Sequence, residues 1–85
     1  MNMNIEKLME TKEGVQLTSA ILITTRLETL TQQIYKRKRR IERMKEYQAE
    51  GIDNATERIK ENELKIQELN KEVQKLANEL LALYK

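Results

Sequence analysis

The sequence contains no cysteine, histidine, proline, phenylalanine or tryptophan. Each absence removes a class of chemistry. Without cysteine there is no disulfide framework and no thiolate metal site. Without histidine, zinc, haem and copper sites of the usual kinds lose their main ligand. Lacking both, the chain cannot build the common nucleophilic triads. A carboxylate-only cation site would remain, but no run of alternating Asp and Asn around a central Gly resembles a calcium loop. The two glycines, Gly14 and Gly51, stand alone, so no glycine-rich phosphate loop exists. The hydroxyls of Thr18, Ser19, Thr24 and Thr25 have no identifiable base. The expectation is a protein with no cofactor, no metal and no catalytic residues, and therefore not an enzyme.

Long hydrophobic runs are also missing. The stretch Ala20–Ile23 falls far short of the ~20 apolar residues a bilayer crossing needs. The first residues carry acids at Glu6, Glu10 and Glu13, without a basic region leading into an apolar run. No signal peptide and no membrane partner are expected, and cytoplasmic residence fits.

What the chain does have is helix-forming residues. Charged residues make up 35% of its 85 positions and aromatics 4%, a balance typical of long helices and coiled coils. The formal net charge is only +2, so any electrostatic message lies in how charges are grouped. A single small domain is implied, spanning residues 1–85. A chain of this size buries a limited core, and oligomerisation is a common remedy.

The glycines divide the chain into three parts. Asn4 could cap a short helix over about 4–10, with Ile5, Leu8 and Met9 at helical spacing. Thr11–Gly14 reads as a break. A long helix is expected over about 15–50. Ala20, Ile23, Leu27, Leu30, Ile34, Arg37, Ile41, Met44 and Gln48 recur in alternating steps of three and four, an a/d heptad pattern. Val15–Thr25 is rich in β-branched residues and resembles a strand, but nothing else in the chain would pair with it. Gly51 is placed to end the helix in a Schellman motif, with Ile52 reaching Tyr47. Asp53 or Asn54 then caps a second long helix over about 54–84, and Asn54 with Glu57 resembles a capping box. Its frame is Ile59, Asn62, Ile66, Leu69, Val73, Leu76, Leu80 and Leu83. A short connection makes the two helices antiparallel neighbours. Folded at Gly51, the frames meet as Met44–Ile59, Ile34–Leu69 and Ile23–Leu80, with polar Arg37 and Asn62 neighbours in the seam. The expected fold is all-α: an antiparallel two-helix coiled-coil hairpin with a short N-terminal helix, assembling into a dimeric helical bundle.

The apolar stripe widens away from the loop. Leu17, Ile21 and Leu22 join Ile23, while Ala77, Leu81 and Tyr84 join Leu80 and Leu83. Two facing helices hide one stripe each, so the surplus needs a third body. The N-terminal segment is one candidate. A second copy is the favoured one, because that segment is short, and it makes Leu17, Ile21, Leu22, Leu81 and Tyr84 the candidate self-association surface.

The densest charge is Lys36-Arg37-Lys38-Arg39-Arg40, followed by Arg43 and Lys45. Lys36, Arg40 and Arg43 share one side of a helix and could follow a phosphate backbone. Against this, Glu57, Glu61, Glu63 and Glu68 of the second helix are available for cross-helix ion pairs that would consume the cations. The pairing reading is the stronger of the two, since short basic runs are weakly specific. Basic leucine zippers also join a basic helix to heptads, but here Gly51 breaks the frame and the cations lie inside the heptads.

Two functions follow. The first is a coiled-coil interaction protein that self-associates, dimer first, and binds a protein partner. In size and composition the chain resembles small helical products of phages and mobile elements, many of which act as regulators or inhibitors. The second is a nucleic-acid-binding dimer using Lys36, Lys38, Arg39, Arg40 and Arg43.

Overall fold

The computed structural model describes residues 10–85. Among them lie two helices and no strand: α1, Lys12–Ala49 with 38 residues, and α2, Ala55–Ala82 with 28. At 1.5 Å rise per residue they are about 57 and 42 Å long. The short helix expected over 4–10 falls almost wholly outside the described residues.

α1 begins three residues before the expected position, and Gly14 is inside it. Thr11 makes the boundary. Its backbone is extended (φ −96°, ψ 152°), and its Oγ1 accepts from the Gly14 N–H at 2.9 Å, satisfying a donor that the first turn leaves orphaned. The β-branched stretch that follows is helical. The hydroxyls of Thr18, Thr25, Thr29 and Thr31 donate to the carbonyls of Gly14, Ile21, Thr25 and Leu27 at 2.8–3.2 Å. Bonding back to residue i−4 is how threonine satisfies its hydroxyl within a helix.

The loop-proximal end of α1 is a Schellman motif. Gly51 sits at φ 77°, the Ile52 N–H donates to the Tyr47 carbonyl at 3.0 Å, and the Gly51 N–H donates to the Gln48 carbonyl at 3.1 Å. The capping box expected at Asn54 is not formed. Asn54 lies at φ 73°, in the left-handed region, and its side chain makes no cap bond. A capping side chain works from an extended backbone. Here the tight reversal takes that conformation away, and only asparagine's tolerance of positive φ is used.

The helices run antiparallel. Cross-helix bonds join Gln48 to Thr56, Arg37 to Asn62, Arg26 to Glu72, and Gln16 to the Leu83 carbonyl, at 2.9, 3.1, 3.1 and 2.7 Å. Among the described residues every buried hydrophobic side chain is a seam residue: Ala20, Leu30, Ile41, Ala55, Ile59 and Leu69. Ile23, Leu27, Ile34, Met44, Ile66, Val73, Leu76, Leu80 and Leu83 are half-buried along the same line, whereas Gln48 is exposed. Both frames read from the sequence, Gln48 apart, therefore line the interface between the helices. Among the described residues Leu30 alone has a side chain fully withdrawn from water. Two helices make a thin core, and the seam keeps one edge open to solvent on either side.

Candidate interaction surfaces

An antiparallel pair of heptad helices has two flanks. The Arg26–Glu72 contact identifies one of them, because it joins positions that precede the a residues of both helices. Counting in heptads from that pair puts Arg40 of α1 opposite Arg58 of α2, with Lys36 and Arg43 on the outer edge of α1. Tyr47 and Arg58 line one small hollow beside the loop, which agrees with this register. Further along, shallow depressions are lined by Lys36, Arg39, Arg40 and Arg43, and by Gln33, Lys36, Arg37 and Arg40.

The cross-helix pairing expected for these cations does not occur. Among the described residues the ion pairs are Arg26–Glu72 at 3.1 Å and Lys65–Glu68 at 3.4 Å, and neither uses a cation of the 36–45 run. Register explains this. The flanking position opposite Arg40 holds an arginine, Lys38 faces Asn70, and Glu57, Glu61 and Glu68 point away from the seam. Lys45 lies opposite Glu63 on the other flank, where both side chains are exposed and no ion pair closes. Arg37 reaches across the seam, and its Nη1 donates to Asn62 Oδ1 at 3.1 Å. Asn62 Nδ2 in turn donates to the Arg58 carbonyl at 2.8 Å. The polar layer expected from Arg37 and Asn62 is thus present, and both residues are half-buried.

The five residues named for nucleic-acid contact are consequently divided. Lys36, Arg40 and Arg43 share the flank that carries Arg58. Arg39 points outward, with its guanidinium 5.9 Å from the centre of the Tyr35 ring. Lys38 lies on the opposite flank. The sequence reading missed Arg58. It sits outside the basic run, and only pairing of the two helices brings it onto the flank of Arg40.

At the open end, all five residues named for self-association are exposed: Leu17 48%, Ile21 57%, Leu22 66%, Leu81 65% and Tyr84 69%. Helical spacing sorts them. Leu17, Ile21, Leu81 and Tyr84 occupy the flank away from Arg26–Glu72. Leu22 lies across the helix from them, beside Val15, which is 48% exposed. Nearer the loop on the first flank, small residues border the seam: Thr24 and Thr31 on α1, and half-buried Ala77 on α2. They leave the edge of Leu27 open in a groove lined by Thr24, Leu27, Glu28, Thr31 and Gln32. Leu64, 60% exposed, is an outward apolar residue that belongs to neither stripe. It stands alone, as single surface leucines commonly do.

Among the described residues, no group of three acidic side chains is placed to hold a metal ion, and no helix is long and apolar enough to cross a membrane. Neither a protein-family model, nor a characterised protein, nor a solved structure matches this chain.

Proposed function

We propose that this protein is a non-enzymatic interaction module: a helical hairpin that self-associates through its open end, as a dimer first, and offers its remaining surface to a protein partner. One observation carries the reading. Leu17, Ile21, Leu81 and Tyr84, drawn from both helices, form an exposed apolar flank at one end of the molecule. Fully burying an aliphatic side chain of this size is worth about 1.5–3 kcal/mol, of which these residues, 48–69% exposed, have about half to two-thirds still to gain. The small residues beside them open the groove at Leu27, where a large side chain from a second copy can enter. Two hairpins joined on this flank make a four-helix core, which compensates for the thin seam of one. The hetero-partner part of the proposal, a small regulator or inhibitor of the kind mobile elements encode, rests on size and composition.

Light scattering after size exclusion tests the self-association. The parent chain is expected at twice the chain mass, at low and high salt alike, since an apolar contact is not screened. Ile21→Glu combined with Leu81→Glu is expected to give a monomer that keeps its helical circular dichroism. A parent chain that runs as a monomer at all concentrations contradicts the proposal.

A further inference from the structure

We infer that the loop-half flank carrying Lys36, Arg40 and Arg43 of α1 and Arg58 of α2 binds the phosphate backbone of double-stranded nucleic acid, through charge and without reading bases. The first reason is that these cations are not used internally. No ion pair among the described residues involves Lys36, Arg40, Arg43 or Arg58. The second reason is opposition of like charge. Flanking positions of a hairpin set its pairing most favourably when they carry opposite charges, as Arg26 and Glu72 do on this same flank. Two heptads nearer the loop, the equivalent positions hold Arg40 and Arg58. Repulsion there disfavours the hairpin and is relieved when an anion lies between the helices.

The third reason is geometry. Lys36, Arg40 and Arg43 follow one line along α1, spanning about 10 Å at 1.5 Å per residue. Anion-sized depressions lie between them. Acids on this side stand at the loop, Glu50 and Asp53, and on the outer edge of α2, Glu61 and Glu68, with Glu68 paired with Lys65, so none lies between Lys36, Arg40 and Arg43. Arginine dominates the set, and its planar fork grips phosphate oxygens two at a time. An acidic protein surface would satisfy the charge, but protein interfaces centre on apolar anchors, and the exposed apolar side chains here, Tyr47 and Ile52, stand at the loop beside Arg58 and not along the line of Lys36, Arg40 and Arg43. Single strands are disfavoured for a related reason. Stacking needs aromatic platforms, and Tyr47 is the one ring on this flank. The inference does not depend on self-association, since each hairpin carries a complete face.

Fluorescence anisotropy with a short labelled DNA duplex, titrated with the full chain over a range of salt, tests it. Neutralising four phosphates predicts a slope of about −3.6 for log affinity against log salt, or about a 150-fold loss between 50 and 200 mM. Arg40→Glu with Arg43→Glu should lower affinity more than tenfold and flatten the slope by about 2. Lys38→Glu with Lys45→Glu makes the same change in net charge on the other flank, and should leave binding close to the parent's. Circular dichroism establishes that each variant is folded. If the charge reversal unfolds the chain, Arg40→Gln with Arg43→Gln should still give a clear loss. The inference is overturned by absence of binding at low salt, or by equal losses in the two charge-reversal pairs. Polyglutamate bound as tightly as DNA would also overturn it and assign the face to an acidic protein.

Discussion

At the scale of single residues, Arg37 and Asn62 interrupt an otherwise apolar seam. The sequence marks them as polar occupants of heptad positions, and the structure joins them by a 3.1 Å hydrogen bond. Such a pair helps set register, and it costs stability relative to apolar packing. Replacing both, as Arg37→Leu with Asn62→Leu, is expected to raise stability by about 1–2 kcal/mol, at the lower end of the range for buried pairs because both are half-buried. Asn62→Leu alone is expected to destabilise, since it leaves Arg37 at the seam without its acceptor. Urea denaturation of the two variants checks this. If the double variant is less stable than either single, the pair contributes net stability and the argument fails. What a residue-by-residue reading could not supply is the direction in which Arg37 bends. Its guanidinium reaches across the seam to Asn62, whose side-chain amide in turn donates to the Arg58 carbonyl.

At the scale of elements, helix boundaries were only partly legible. Gly51 was legible because a glycine at the end of a heptad frame has one economical use, and the Schellman bonds to Tyr47 and Gln48 are present. Gly14 was misleading. Glycine in a helix costs about 1 kcal/mol, too little to break one that Thr11 caps and tertiary packing extends. Asn54 was misread in another way. Its side chain suits a cap, but closing the reversal required its backbone at positive φ. Gly51→Ala is expected to lose about 1–2 kcal/mol, the cost of placing a Cβ at φ 77°. No atom lies within 4 Å of that Cβ, so the loss is conformational and not steric. Thermal denaturation followed by circular dichroism measures it. An unchanged midpoint would mean that the turn adopts another geometry.

At the scale of the whole molecule, the balance is between a thin seam and a large exposed apolar end. One fully buried side chain is little for a hairpin of this length. If the open end docks on a second copy, folding and association are linked. The melting midpoint should then rise with protein concentration by mass action, and Ile21→Glu with Leu81→Glu should remove that dependence while lowering the midpoint. A midpoint that is constant across a hundredfold range of concentration would show that the hairpin is stable as a monomer. The two surfaces lie on different flanks and opposite halves of the hairpin. A dimer built on Leu17, Ile21, Leu81 and Tyr84 therefore leaves both basic faces open.

Taken alone, the sequence determined the helical class, the heptad seam, the reversal at Gly51 and the widening of the apolar stripe. These follow from local periodicity and from the backbone needs of one glycine, and neither depends on what the chain meets in space. Only the tertiary structure decided how the surfaces are divided. Helix pairing chose which flank each charge occupies. It put Arg40 against Arg58 where a count of glutamates predicted ion pairs, and it parted Leu22 from the other four exposed apolar residues. Composition tallies the charges available. The register of two antiparallel helices decides which of them meet.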